Sequence, residues 1–305
     1  MAAVGALLAV LTAVATVQAA ASPRHLRSRP YLLALGDSLA AGYQPKFASN
    51  LPPVDVATGY PDQGYPGSYA ADLATRLGLR LIDLACPGET TTSMVSNPAL
   101  SQCAQLYEHE FHAPNQLAAA QVFLDDHHSD VALVTIDIGA NDISRCAQES
   151  GISAFSCFTE QVARVARNLS RVLNDLHGTL RRDDPRSQTV GMNYYDPYLG
   201  LAFRPGGVTG KSEASATLIG VTSLNVAVAT VFRERGVAVA NAASAFHTGT
   251  VVPVRSYDGE QLPEDVFQVC VWTYMCPTTA SASPDVHPNA AGYRAIANVF
   301  ASALH

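Results

Sequence analysis

The chain has 305 residues, of which 48% are apolar and 15% are charged, and its net charge is −7 at pH 7. This apolar content is enough for one large hydrophobic core or two small ones. The 19 lysines and arginines form no basic run of the kind that binds phosphates, which argues against nucleic acid as a partner and favours a small, neutral or weakly charged substrate.

The N-terminal segment predicts an exported protein. Residues 1–21 contain no charged side chain and end in small residues, with Ala19 and Ala21 spaced as a signal peptidase requires. We interpret the segment as a signal peptide that is cleaved near Ala21. The usual lysine or arginine before the apolar run is missing, so an N-terminal membrane anchor is the alternative. We expect residues 28–305 to form one domain.

Predicted strands and helices alternate along the rest of the chain. The strands are predicted at Tyr31–Leu35, Leu79–Leu84, Val131–Ile138, Thr189–Tyr195 and Val237–Asn241. The helices are predicted at about 68–77, 115–127, 159–177 and 212–235, with a last one after Pro288. The helix over 159–177 has one apolar stripe at helical spacing, and Gly178 is placed as its stop. Residues 44–66 and 248–284 are predicted as long loops.

The strands determine the predicted fold class. They are continuous apolar runs rather than alternating ones, as expected when helices cover both faces of a parallel sheet. We therefore predict a three-layer α/β/α fold with a parallel sheet.

The six cysteines predict disulfides. An even number of cysteines in an exported chain favours three disulfides over metal ligands, and six cysteines permit 15 pairings. No pair has the CxxC spacing of redox or zinc motifs. The spacing favours three local bridges, namely Cys86–Cys103, Cys146–Cys157 and Cys270–Cys276.

Two polar motifs follow predicted strands, where an open α/β sheet places its ligand-binding crevice. Ser38 lies in Gly-Asp-Ser-Leu after the first strand, where it is either an exposed nucleophile or the N-cap of a helix. Asn141 lies in Gly-Ala-Asn-Asp after the third strand, where its amide either donates to an oxyanion or makes an Asx turn.

Two further positions complete the candidate site. Gly88, after the second strand, either lets the backbone approach a ligand closely or only makes a turn. His287 precedes Pro288, which suits the first position of the last helix. Trp272, Tyr274 and Met275, between Cys270 and Cys276, are placed to line an acyl pocket near His287, and a packing role is the alternative for Trp272.

The order of these four motifs resembles that of the SGNH or GDSL family of serine hydrolases, in particular secreted lipases and esterases of actinobacterial type. The resemblance implies a flavodoxin-like sheet and Ser38 as the nucleophile. It implies His287 as the base, and an oxyanion hole built from Ser38, Gly88 and Asn141. The absence of a G-x-S-x-G motif agrees with this family rather than with the α/β-hydrolases.

The resemblance implies a secreted carboxylic ester hydrolase that needs no metal or organic cofactor. We expect a lipase or esterase acting on a small-molecule ester or lipid, as a monomer without an obligate protein partner. A carbohydrate acetylesterase of the same fold is the first alternative. A secreted binding protein without catalysis is the second.

The residue that orients His287 is left open by the sequence. The family usually places an aspartate three residues before the histidine, but position 284 is proline. Asp285 is two residues before His287 and is our candidate for the third member of a triad. The alternative is a backbone carbonyl that fixes the imidazole tautomer, which would leave a Ser-His dyad.

Overall fold

The structure is a computed structural model that describes residues 30–45, 64–96, 98–149, 151–180, 187–203, 208–276 and 283–304. The predicted signal peptide, residues 1–21, lies outside the described residues. The β-strands are β1 (Tyr31–Gly36), β2 (Arg80–Asp83), β3 (Val131–Asp137), β4 (Gln188–Asn193), β5 (Ala238–Asn241), β6 (Val254–Tyr257), β7 (Glu260–Pro263), β8 (Thr273–Tyr274) and β9 (Asp285–Pro288).

The α-helices vary widely in length. They are α1 (Ser38–Ala41), α2 (Tyr69–Leu77), α3 (Thr91–Val95), α4 (Ala104–Phe111), α5 (Gln116–His127), α6 (Ala140–Ser144), α7 (Gly151–Leu180), α8 (Val208–Glu234), α9 (Ala242–Ala245), α10 (Glu264–Trp272) and α11 (Ala290–Ser302). Short 3₁₀ helices occupy Pro98–Leu100, His128–Asp130, Arg145–Gln148 and Pro197–Phe203.

The main sheet has five parallel strands in the order β2-β1-β3-β4-β5. This is the flavodoxin-like order, in which the strand order reverses between β1 and β3, the topological switch point of the sheet. Helices α2 and α11 pack together on one face of the sheet, and α5, α7 and α8 pack on the other. The predicted three-layer α/β/α fold is confirmed, and the carboxyl ends of β1 and β3 flank the crevice at which such folds bind ligands.

The strands are buried as their apolar runs predict. All six residues of β1 are buried, and β3 is buried except at Ala132. Because helices cover both faces, neither face of these strands needs polar residues. This burial also explains why the five strands of the main sheet were recognisable in the sequence.

Helix α7 is longer than predicted at both ends. It continues through Gly178 to Leu180, whose side chain is buried in the core. A glycine inside a helix costs only about 1 kcal/mol relative to alanine, and the burial of Leu180 outweighs that cost. At the other end, Ile152 and Phe155 are exposed while Ala154 and Phe158 are buried, so the apolar residues of the first two turns are not confined to one face.

The predicted loop over 248–284 is partly wrong. It contains the hairpin of β6 and β7, then α10, whose residues Val266 and Val269 pack in a second apolar cluster with Leu199 and Met275. The hairpin strands are mostly exposed and only four residues long, so they carry too little apolar periodicity to be recognised.

By length and composition alone, the segment Ala214–Glu234 of α8 could cross a membrane, with a mean hydropathy of 1.6. Its Leu224, Val228 and Phe232 are buried in the main core of the protein. Packing against the sheet therefore accounts for its apolar content.

A buried carboxyl ends β2. Asp83 is 1% exposed, and its Oδ1 accepts a hydrogen bond from the backbone N–H of Ala85 at 3.0 Å. Burial raises the pKa of Asp83 to about 8, against the opposing effect of that hydrogen bond. The native state therefore holds a proton on Asp83 at pH values where an unfolded aspartate, with a pKa of about 3.9, has lost it.

We predict that the free energy of unfolding falls as the pH rises from about 4 to 8, because the unfolded chain binds fewer protons in that window. One group contributes about 1.4 kcal/mol per pH unit where it is protonated only in the native state. In Asp83→Asn, urea unfolding at pH 5 and pH 8 should show a smaller difference than in the wild type. Asp126→Asn, on the exposed side of α5, is the control. Equal differences for wild type and Asp83→Asn would contradict this assignment.

Candidate active site

A tight turn after β1 positions Ser38. Gly36 has a φ of 141°, and a Cβ on it would lie 2.1 Å from the carbonyl oxygen of Asp137, so only glycine fits. Asp37 follows and caps α1, with its Oδ1 accepting from the N–H of Leu39 at 2.9 Å. Ser38 is the first residue of α1. The alternative in which Ser38 itself caps the helix is therefore wrong.

The turn is fixed to two neighbouring strand ends. The N–H of Asp37 donates to the backbone oxygen and to Oδ1 of Asp137, both at 3.1 Å. Asp37 Oδ2 accepts from the hydroxyl of Tyr194, just after β4, at 2.9 Å. Burial raises the pKa of Asp37 to about 6, against the opposing hydrogen bonds from Leu39 and Tyr194. These contacts hold the backbone that carries Ser38 in one position.

The structure brings His287 to Ser38. His287 Nε2 lies 2.8 Å from Ser38 Oγ, and Nδ1 lies 2.7 Å from Asp285 Oδ1. The ring of Tyr43 packs against the imidazole, with ring centroids 4.5 Å apart. The hydroxyl of Tyr195 donates to the carbonyl of Val286 at 2.8 Å and so fixes the strand between the two catalytic candidates.

The two-residue spacing of Asp285 and His287 follows from local backbone geometry. Both residues lie in β9, which pairs antiparallel with β8. The register of this pairing is irregular, and Asp285 Oδ1 also accepts from the backbone N–H of His287 at 2.9 Å, which holds the carboxylate against the histidine ring. Burial raises the pKa of Asp285, but the hydrogen bond and the charge of His287 outweigh it and lower the pKa overall.

The loop after β2 and the turn after β3 supply the candidate oxyanion donors. Gly88 has a φ of 78°. The side-chain amide of Asn141 donates to the carbonyl of Glu89 at 2.9 Å, which leaves its second N–H for a ligand. Within the described part of the chain, no group accepts a hydrogen bond from the backbone N–H of Ser38 or of Gly88. Three donors are thus free at one end of the sheet.

A second contact fastens these two segments together. Asp142 accepts from both the backbone N–H and the hydroxyl of Thr91, at 2.8 and 2.7 Å. The hydroxyl of Thr91 also accepts from Asn168 Nδ2 at 3.1 Å. Burial raises the pKa of Asp142, although the two hydrogen bonds from Thr91 oppose the shift. The relative position of Gly88 and Asn141 is therefore set by buried hydrogen bonds.

All the predicted site residues line one cavity of about 380 Å³, within the usual size range for ligand pockets. Its polar lining includes Ser38, Gly88, Asn141, Asp285 and His287. Helices α6, α7 and α8 add an apolar side that was not predicted from the sequence, comprising Ile143, Phe158, Val221 and Leu224. These side chains have the helical spacing of core residues, so their sequence pattern does not separate a pocket wall from the core.

Trp272 and Met275 pack against other apolar side chains and do not form part of this pocket. The indole of Trp272 packs edge-on against Phe246, with centroids 5.1 Å apart, and Met275 belongs to the second apolar cluster. The hydroxyl of Tyr274 donates to Gln44 Oε1 at 3.1 Å, and none of the three residues lines the cavity.

Three disulfides lie beside the site, and they are the pairs favoured by the sequence spacing. The bridges are Cys86–Cys103, Cys146–Cys157 and Cys270–Cys276. The first begins two residues before Gly88, and the third joins the segment around β8, the partner strand of β9. Disulfides persist in oxidising compartments, so the three bridges are compatible with secretion.

Comparison with solved structures shows the same fold in other proteins. Phospholipase A1 from Streptomyces albidoflavus NA297 is 18% identical with a TM-score of 0.55, and the match covers 91% of this chain and 100% of that one. An extracellular lipase from Streptomyces rimosus is 19% identical with a TM-score of 0.53, covering 90% of this chain and 100% of that one. A comparison with curated proteins gives no match.

The family model extends this likeness from the fold to the sequence. It matches residues 34–295, which include the Ser38, Gly88, Asn141 and His287 motifs described above. The chain belongs to the GDSL-like lipase/acylhydrolase family.

Proposed function

We propose that the protein is a carboxylic ester hydrolase that works through an acyl-enzyme on Ser38. The observation that carries the proposal is the line of short contacts, 2.8 Å from Ser38 Oγ to His287 Nε2 and 2.7 Å from His287 Nδ1 to Asp285 Oδ1. A serine hydroxyl is a weak nucleophile until a neighbouring base accepts its proton. In this arrangement His287 is that base, and Asp285 holds its tautomer.

The reaction has two stages. Ser38 Oγ attacks the ester carbon while its proton moves to His287 Nε2, and the imidazolium returns the proton to the departing alcohol. Water then attacks the acyl-serine with His287 again as base, which releases the acid and restores Ser38. In both stages negative charge develops on the carbonyl oxygen. The N–H groups of Ser38 and Gly88 and the amide of Asn141 stabilise it, each being worth about 3 kcal/mol.

The apolar side of the cavity favours a lipase or esterase over a carbohydrate acetylesterase. Ile143, Phe158, Val221 and Leu224 provide an apolar wall for a hydrocarbon chain. Each buried methylene of an acyl chain contributes about 0.8 kcal/mol, and an acetyl group would leave most of that wall uncovered. We therefore assign the wall to the acyl part of the substrate.

The nucleophile is tested with an organophosphonate. Wild-type protein should gain one covalent adduct and lose esterase activity, whereas Ser38→Ala should gain no adduct and have no activity above background. Ser223→Ala, an exposed serine on α8, should label like the wild type. An unlabelled wild type would instead indicate a secreted binding protein without catalysis.

The acyl wall is tested by chain length. Wild-type protein should hydrolyse medium-chain p-nitrophenyl esters with a higher kcat/KM than the acetate. Val221→Phe fills part of the cavity and should shift the preference towards shorter chains. Val226→Phe lies on the exposed side of the same helix and should leave the profile unchanged. A strict preference of the wild type for acetyl would overturn the assignment and favour the acetylesterase.

The role of Asp285 is tested by Asp285→Asn. An asparagine at this position favours the wrong imidazole tautomer, and we expect kcat to fall about 10⁴-fold. Asp258→Asn, an exposed change in the hairpin of β6 and β7, is the control. A fall of only severalfold would show that Asp285 is not needed and that His287 works in a dyad.

A further inference from the structure

The cavity also has polar side chains with no role in this mechanism, among them Gln102. Gln102 lines the same cavity as Ser38, and its side-chain amide makes no hydrogen bond with the described part of the chain. We propose that Gln102 binds hydroxyl groups on the alcohol part of the ester, which makes acyl esters of hydroxylated, uncharged alcohols such as glycerol the preferred substrates. The inference rests on the proposed esterase function.

Gln102 is placed directly at the oxyanion loop. Its Nε2 lies 2.9 Å from the position that a Cβ on Gly88 would occupy. A side chain at position 88 would therefore displace the amide, and the glycine leaves room for it. Because Gly88 and Gln102 line the same cavity side by side, an ester whose carbonyl binds at the N–H of Gly88 lies next to the Gln102 amide.

The residues on either side of Gln102 are anchored to the same loop. The hydroxyl of Ser101 donates to the buried carboxyl of Glu89 at 2.6 Å, and Cys103 forms the disulfide with Cys86. The backbone N–H of Cys103 also donates to Ser101 Oγ at 3.2 Å. Gln102 is itself exposed, so its position is set by its neighbours while its amide stays available to a ligand.

The chemistry of the cavity assigns Gln102 to the alcohol rather than to the acyl chain. The acyl chain has an apolar wall on α6, α7 and α8, and burying an amide against a hydrocarbon chain without a hydrogen bond is unfavourable. A carboxamide both donates and accepts, which matches a hydroxyl. None of the described residues lining the cavity is a lysine or arginine, so a phosphorylated alcohol has no cationic partner there.

The test compares two butyrate esters that differ only in the alcohol, glycerol monobutyrate and ethyl butyrate. Gln102→Leu keeps the approximate size of the side chain and removes its hydrogen bonds. We expect kcat/KM for the glycerol ester to fall about three- to tenfold, the size of a neutral hydrogen bond, mainly through KM. The value for the ethyl ester should stay unchanged. Gln261→Leu, an exposed change on β7, is the control for both esters.

Two outcomes would overturn the inference. An equal loss on both esters would mean that Gln102 supports the oxyanion loop rather than the alcohol, and no loss on either would mean that it contacts neither. Turnover of ethyl butyrate by the wild type and its loss in Ser38→Ala test the esterase function separately. Failure of the Gln102 assignment is thus distinguishable from failure of the esterase itself.

Discussion

The arrangement of the site depends on one contact between two strand ends. The N–H of Asp37 donates to both the backbone oxygen and the side chain of Asp137. This contact joins the ends of β1 and β3, between which the strand order reverses. This contact requires glycine at position 36, because any larger residue would collide with Asp137. It fixes the start of α1, and hence Ser38, relative to β3, whose following turn carries Asn141. The proposed nucleophile and a proposed oxyanion donor are thereby held by one sheet rather than by separate loops.

Buried carboxyl groups hold the turns and loops around the site, and their burial lowers the free energy of unfolding of the protein. Asp37, Asp83 and Glu89 all have pKa values raised by burial, to about 6, 8 and 7. A raised pKa means that the folded protein disfavours the charged form, so ionisation of these groups at neutral pH works against folding. Each of the three accepts hydrogen bonds that hold a backbone turn or loop near the site. Local hydrogen bonding is retained at the expense of global stability, as is common where structure serves a site.

The sequence predicted most of the sheet and most of the proposed site, for one reason. Buried parallel strands appear as uninterrupted apolar runs, and polar motifs at their ends must meet at one edge. What it did not predict depends on tertiary contacts. The proposed acyl wall, which includes Phe158 and Val221, has the pattern of ordinary core positions. The hairpin is too short and exposed to show a period, and α10 is buried on its polar as well as its apolar residues, so it lacks an amphipathic pattern. The sequence leaves the partner of His287 open because a two-residue spacing works only with the local backbone geometry, which depends on the pairing with β8.

Asp285 is one residue closer to His287 than the family pattern has it, yet the two side chains still meet. A change in the spacing of an aspartate and a histidine matters only through the backbone between them. Here the segment pairs with β8 and is held by the hydroxyl of Tyr195, and Asp285 Oδ1 contacts both the backbone N–H and the ring of His287. The Cys270–Cys276 bridge closes a short ring that contains β8, and so restrains the partner strand of β9. The short His287–Asp285 contact therefore depends on local strand pairing as much as on the identities of the two residues.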